Sequence, residues 1–355
     1  MSEVLSSRVK LSLSFGHFPI LRQTPGGRGI WGNYAFVLDP QLEQCDAWVV
    51  YNNLDTPHGQ MSRCPPNRTL LLIGEPPSRM GVNAAYASQF SVFVGCHPAI
   101  DHPGLIRAHQ GLPWWVGVRR LGAGRFEARM GYDELAAMRT IEKSKLLSVV
   151  CSNLIITPEH RKRVRFVQRL AQHFGDRLAL YGAGFRPIED KWDAIAPYKY
   201  HIVLENSCVP NYWTEKLADA FLGGALPIYH GCPNIERYFA AESLVRINID
   251  RPQEAIEIIE QVLAESRYER VRDAIWESRW RVLDEHNLFA LVARLLDSWP
   301  MGERENVVIH PAAHFPEPFR WDRLYAVARE GIQRAWFKVR DKQQFVPAAA
   351  PRVEK

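Results

Sequence analysis

The residues best able to do chemistry crowd into one stretch, residues 201–231, HIVLENSCVPNYWTEKLADAFLGGALPIYHG. Glu205, Asn206, Tyr212, Glu215 and Lys216 all stand there, close together. The apolar run before them reads as a strand, and Thr214 is a good N-cap for a helix that starts on Glu-Lys. In open α/β sheets, ligands sit at the carboxyl ends of strands, against helix starts. A helix start offers free N–H groups and a positive dipole end, both suited to phosphate. Lys216 adds a full positive charge in the first turn, where a cation is unfavourable unless an anion joins it. Glu215 supplies two acceptors for a diol such as a ribose, and Tyr212 and Trp213 offer faces for a base. A structural reading stands beside this one. A first-turn glutamate is common on dipole grounds, and the lysine can simply be solvated.

A second group of candidates falls on the preceding βα unit. The run LLSVVCSN (146–153) ends on Ser152 and Asn153, and the helical stretch 157–174 opens with Arg161, Lys162, Arg163 and Arg165. A pyrophosphate held between the two helix starts would meet Arg163 from one and Lys216 from the other. Taken singly, each arginine reads equally well as a solvated face. Cys96, His97, His102 and His109 have the composition of a metal cluster, but their gaps fit no structural zinc spacing.

The elements that must position these groups follow from apolar patterning. Residues 9–15, 46–53, 68–75 and 90–96 are short apolar, β-branched runs without strict alternation, as expected of strands covered on both faces of a parallel sheet. Long proline-rich loops separate them. A charged segment, 125–145, is expected to be helical and to lead out of a first domain. The strand 146–153, a helix over 157–174 with Thr157 as N-cap and Pro158 at its first position, and strands at 178–182, 199–206 and 226–231 then alternate with the helix 214–224. That repeated βα pattern predicts a doubly wound sheet. From 252 onward the chain reads as mostly helical, with amphipathic stretches at 251–266, 288–299 and 321–342. The domains expected are 1–143, 144–300, and a helical C-terminal extension and tail over 301–355.

Composition narrows the class. The chain has 355 residues, 46% hydrophobic and 23% charged, as in a globular protein with a large core. A formal charge of +5 is a mild excess that suits a phosphate-bearing small ligand or an anionic membrane surface, and is less than a nucleic-acid stripe usually carries. Six cysteines show no C-x-x-C pair and read as reduced, mostly buried thiols. The N-terminal segment lacks a signal-peptide apolar region, and no apolar run is long enough to span a bilayer. The expected place is therefore the cytoplasm, with the basic helix 321–342 either packed on the core or lying on an anionic inner-membrane surface.

The order YKYHIVLENS, then NYWTEKLADAFLGGALPIYHGCPNIERY, resembles the signature of the glycosyltransferase family 10 α-1,3/1,4-fucosyltransferases, bacterial type. The upstream SKLLSVVCSN, HRKRVRFVQRL and LYGAGF are similar to that family's preceding block. The resemblance covers about 144–250. It implies an α/β, GT-B-like fold, with two Rossmann-like domains facing across a cleft. It implies GDP-fucose on the C-terminal domain and an acceptor glycan on the N-terminal one. Ser152, Asn153, Arg163, Glu205, Asn206, Tyr212, Glu215 and Lys216 become donor-site residues, with Arg161 competing with Arg163 for the phosphate. Glu75, in GEPPS at a strand end, matches the segment carrying the family's base, and partial burial is expected to raise its pKa. His97, His102, His109 and the pair Trp114-Trp115 then read as an acceptor-side loop.

The function so implied is inverting transfer of fucose from GDP-fucose to a glycan hydroxyl, in lipopolysaccharide or other surface-glycan synthesis, with no obligatory metal or cofactor. No Asp-x-Asp occurs; the nearest approach is Asn248-Ile249-Asp250. The competing readings are a same-fold transferase for another nucleotide sugar, a catalytically silent nucleotide-sugar binder, and a nucleic-acid binder built on the basic helix.

Overall fold

A computed structural model describes residues 7–14, 18–111, 113–122, 124–153, 155 and 157–315. The basic segment 321–342, and with it the choice between core and membrane placement, lies outside the described residues. Residues Met1–Ala312 form one compact unit.

Two parallel sheets carry this unit. The first has seven strands, in spatial order Ile30–Trp31, Tyr34–Val37, Ser7–Leu13, Ala47–Tyr51, Thr69–Leu72, Val92–Gly95 and Leu105–Arg107. Every pairing in it is parallel except the first. The second has five parallel strands, ordered Leu178–Tyr181, Lys145–Val150, Tyr198–Leu204, Leu226–His230 and Val245–Arg246. Ala47–Tyr51 and Thr69–Leu72 are buried throughout, which is why their sequences do not alternate. Two Rossmann-like α/β layers, the GT-B-like architecture, are thus present in one chain.

Helices cover the second sheet. Pro158–Phe174 is capped by Thr157, whose hydroxyl accepts from the His160 N–H, and it buries Val164, Phe166, Val167, Leu170 and Phe174. Glu215–Leu222 starts on Thr214 and is buried on nearly every side. Its apolar residues join those of Pro252–Ala264 and Arg272–Asp284 in one core.

Three expectations are corrected. The segment 125–145 is not one helix. Arg125–Ala128 pairs antiparallel with Val118–Gly122, and only Tyr132–Ala137 is helical. Gly122 and Gly124, both at positive φ, turn the chain into a hairpin before a helix can nucleate. Second, the linear boundary at 300 does not follow the packing. Leu288–Asp297 puts Leu288, Phe289, Val292 and Leu296 into the core of the first sheet, where Phe289 meets Phe36 edge-on at 4.9 Å. Third, the described start of the C-terminal extension is not helical: Glu305–Ile309 is a strand paired antiparallel with Gln60–Cys64.

Candidate active site

Glu205 ends strand Tyr198–Leu204, and its side chain turns inward. One oxygen accepts from the Thr214 N–H at 2.8 Å and the other from the Thr214 hydroxyl at 2.7 Å. Glu205 is 3% exposed, so these bonds take up an otherwise orphaned carboxylate. It anchors the helix start and is not among the residues lining either cavity described below. Thr214 in turn caps the helix through the Lys216 N–H.

Lys216 and Glu215 leave this cap into a cavity of about 370 Å³. Lys216 Nζ lies 3.1 Å from Glu215 Oε1 and 3.5 Å from Glu205 Oε2. Burial pushes the Glu215 carboxyl up, but Lys216 and then Lys191 outweigh it and hold it at about 2. Burial lowers the Lys216 ammonium, and Glu215 and Glu205 more than reverse that. Both groups are therefore ionised at neutral pH.

Arg163 enters the same cavity from helix Pro158–Phe174. It is 6% exposed, and its guanidinium donates to the Asn206 side-chain carbonyl, a neutral partner. Its buried Nε makes no hydrogen bond among the described residues. A buried guanidinium held by an amide rather than a carboxylate leaves a positive charge for a ligand. Arg161 is not among the residues lining this cavity, whereas Arg163 is. The imidazole of His160 is pushed down to about 4 by burial and then by Arg163, Arg79 and Lys216. The cavity offers an anion the cations Arg120, Arg163, Lys191 and Lys216, set among the carboxylates Glu189, Glu215 and Asp219.

Ser152 lines this cavity and Asn153 does not; Asn153 is exposed and packs on Gly184. Gly182, in the weak motif YGAGF, also lines it. Gly182 has φ of 119°, and a Cβ there would lie 2.0 Å from the Cys151 carbonyl oxygen. No other residue fits this close approach.

A second cavity, about 310 Å³, shares Trp115, Glu215 and Lys216 with the first and adds Asn206, Tyr212 and Thr214. Its other wall comes from the carboxyl ends of the first sheet: Phe18, Tyr51, Asn52, Gly74 and Glu75. Glu75 thus meets the Lys216 cluster from the opposite sheet. The expected partial burial of Glu75 is not found: its side chain is 48% exposed, 4.0 Å from the Arg79 guanidinium. Its backbone is nevertheless fixed. The Gly74 N–H donates to Asn52 Oδ1 at 2.7 Å, and a Cβ on Gly74 would sit 2.4 Å from the Tyr51 hydroxyl. Asn52 has φ of 62°, a conformation that asparagine tolerates. Tyr212 is buried beside Asn211, also left-handed at φ 65°, which accepts from Tyr238 and Asn234.

Several functional candidates escaped sequence reasoning. Lys191 lines the first cavity and lies 2.8 Å from Asp219 Oδ2 and 3.8 Å from Glu215 Oε1. Asp219, fully buried, also accepts from the N–H groups of Trp115 and Val116. Asn52 and Arg120 are further wall residues, Arg120 stacking its guanidinium 4.7 Å from the Trp115 ring. An aspartate on an otherwise apolar helix face was a readable signal for Asp219. The others depend on contacts across the cleft, which spacing does not encode.

The acceptor-side loop is divided. Trp115 lines both cavities, whereas Trp114 is 1% exposed and belongs to the core. His97 pairs with the Met80 carbonyl, His102 with the Phe90 carbonyl, and His109 stacks on Trp213. Each ring is thus held apart by its own partner.

Comparison with known proteins finds a partial likeness to one family. Residues 140–291 match the model of Glycosyltransferase family 10 (fucosyltransferase) C-term. The mouse and human 4-galactosyl-N-acetylglucosaminide 3-alpha-L-fucosyltransferase 9 are each 32% identical over 126 residues, 34% of this chain and 34% of theirs. Mouse alpha-(1,3)-fucosyltransferase 4 is 34% identical over 96 residues, 25% of this chain and 22% of its own. The chain thus matches about a third of the length of the first two relatives. Solved structures of an alpha1,3-fucosyltransferase with GDP and with GDP-fucose are similar at 17% and 15% identity, TM-scores 0.45 and 0.46, covering 81% and 84% of this chain and 94% and 93% of theirs. Residues 140–291 are thus similar to the C-terminal part of glycosyltransferase family 10.

Proposed function

We propose that this chain is a fucosyltransferase that moves fucose from GDP-fucose to a hydroxyl of an acceptor glycan, with inversion at the anomeric carbon. The observation that carries the reading is the junction of two cavities at Glu215, Lys216 and Trp115. One holds the buried Arg163, which pairs with no carboxylate among the described residues. The other carries Glu75 from the opposite sheet.

In this reading the diphosphate lies between Arg163, Lys216 and the start of helix Glu215–Leu222. Glu215 accepts from the ribose diol. Glu75 takes the proton of the acceptor hydroxyl as its oxygen attacks the anomeric carbon. The bond to the diphosphate breaks, and GDP departs with its electron pair. Arg163 and Lys216 neutralise the charge that develops, from positions already fixed before reaction. The exposure of Glu75 leaves room for an acceptor to cover it, and the aromatic wall of Phe18, Trp115 and Phe126 suits the apolar face of a sugar ring.

The nucleic-acid reading has less support, since cations on and just after the basic helix already have carboxylate partners. Lys162 pairs with Asp250 at 2.9 Å, and the neighbouring Arg177 pairs with Glu260.

Calorimetric titration with GDP, GDP-fucose, GDP-mannose and UDP-sugars tests the donor. Tight binding of GDP-fucose that Arg163→Ala abolishes is the expected result. Preference for another nucleotide sugar would keep the site and discard the fucosyl assignment.

A further inference from the structure

Lys216 Nζ has three oxygens about it: Glu215 at 3.1 Å, Thr214 at 3.1 Å and Glu205 at 3.5 Å. A diphosphate carries more negative charge than either carboxylate and competes for this ammonium. When Lys216 turns to it, Glu215, only 18% exposed, loses its nearest counter-charge. A buried carboxylate without a cation is costly. The groups facing Glu215 are the cations Lys216 and Lys191, the carboxylates Glu205 and Asp219, and the phenols Tyr51 and Tyr212. Lys191 is the second cation, already 3.8 Å away.

Lys191 is itself tethered. Asp219 Oδ2 holds its Nζ at 2.8 Å, and Asp219 is fixed through Oδ1 by the N–H groups of Trp115 at 2.8 Å and Val116 at 3.0 Å. This anchor keeps Lys191 beside Glu215 while a ligand's phosphates draw on the other cations. We propose that Lys191 is a positioning residue for the donor: it holds the Glu215 carboxylate in place for the ribose diol once Lys216 has turned to the diphosphate. The inference rests on the donor-site reading above.

The test compares GDP with 2′,3′-dideoxy-GDP, which lacks both hydroxyls that Glu215 would accept from. Calorimetry on the full chain measures both nucleotides in wild type, Lys191→Met and Lys191→Arg. The expected result is a roughly tenfold weakening of GDP in Lys191→Met, the size of one good charge contact, with dideoxy-GDP nearly unchanged. Lys191→Arg, which keeps the charge, recovers most of the preference for GDP. Because the readout is a ratio of two ligands on one sample, partial unfolding cancels out of it. Equal weakening of both nucleotides, or no change in either, overturns the inference while leaving the donor site standing. A wild type that binds neither nucleotide overturns both.

Discussion

Glu75 and Lys216 stand on opposite walls of one cavity, and their proposed tasks are separable. Glu75→Gln is expected to lower turnover by roughly 10²–10⁴-fold, the usual range for a general base, while nucleotide affinity is unchanged. Steady-state kinetics beside calorimetry checks this. The Glu215 carboxyl, held at about 2, lies below its ordinary value of 4.5. Its ionised form therefore contributes stability that is present above pH 4.5 and is lost as pH falls towards 2. The melting-temperature gap between wild type and Glu215→Gln should be full at pH 6–8 and close below pH 4.5; a gap independent of pH would contradict the pairing. These residues were legible in the sequence because one strand-to-helix turn carries Glu205, Asn206, Tyr212, Glu215 and Lys216 together. Lys191, Asn52 and Arg120 were not, because each reaches the site from an element distant in the chain.

At the scale of elements, the helix start Glu215–Leu222 is the piece on which the proposed donor site hangs. Its cap, Thr214, holds both the Lys216 N–H and the buried Glu205. Thr214→Val removes the hydroxyl from both. A loss of about 1–2 kcal/mol is expected from the cap alone, with more from the stranded Glu205 carboxylate. Urea denaturation measures it, and an unchanged midpoint would contradict the capping role. The strands and helices of the second sheet could be read closely from sequence because their apolar runs and caps are local signals. The hairpin Val118–Gly122 with Arg125–Ala128 could not. Its charged residues look helical, and only pairing across the turn at Gly122 and Gly124 decides its conformation.

For the whole molecule, the consequential feature is the return of Leu288–Asp297 to the first sheet. Phe289 is fully buried there against Phe36. Phe289→Ala should cost about 3–5 kcal/mol, as for other large-to-small core changes. Because this helix follows the second sheet in sequence but packs on the first, unfolding by fluorescence and by circular dichroism should remain coincident. Its amphipathic pattern gave the helix but not the sheet it joins, since periodicity names a buried face and not its partner. The assignment of leaving-group charge to Arg163, Lys216 and a helix start makes a further prediction. Transfer should persist in excess EDTA; activity lost in EDTA and restored by a divalent ion would contradict that assignment.

The central claim is that one cleft binds a nucleotide sugar on the second sheet and activates an acceptor from the first. Its most direct test measures GDP-fucose affinity and fucose transfer to a glycan panel side by side, in wild type, Glu75→Gln and Lys216→Ala. Glu75→Gln is expected to keep the affinity and lose the transfer, and Lys216→Ala to lose the affinity. A Glu75→Gln variant that transfers fucose as fast as wild type, or a wild type that binds no nucleotide sugar, would contradict it.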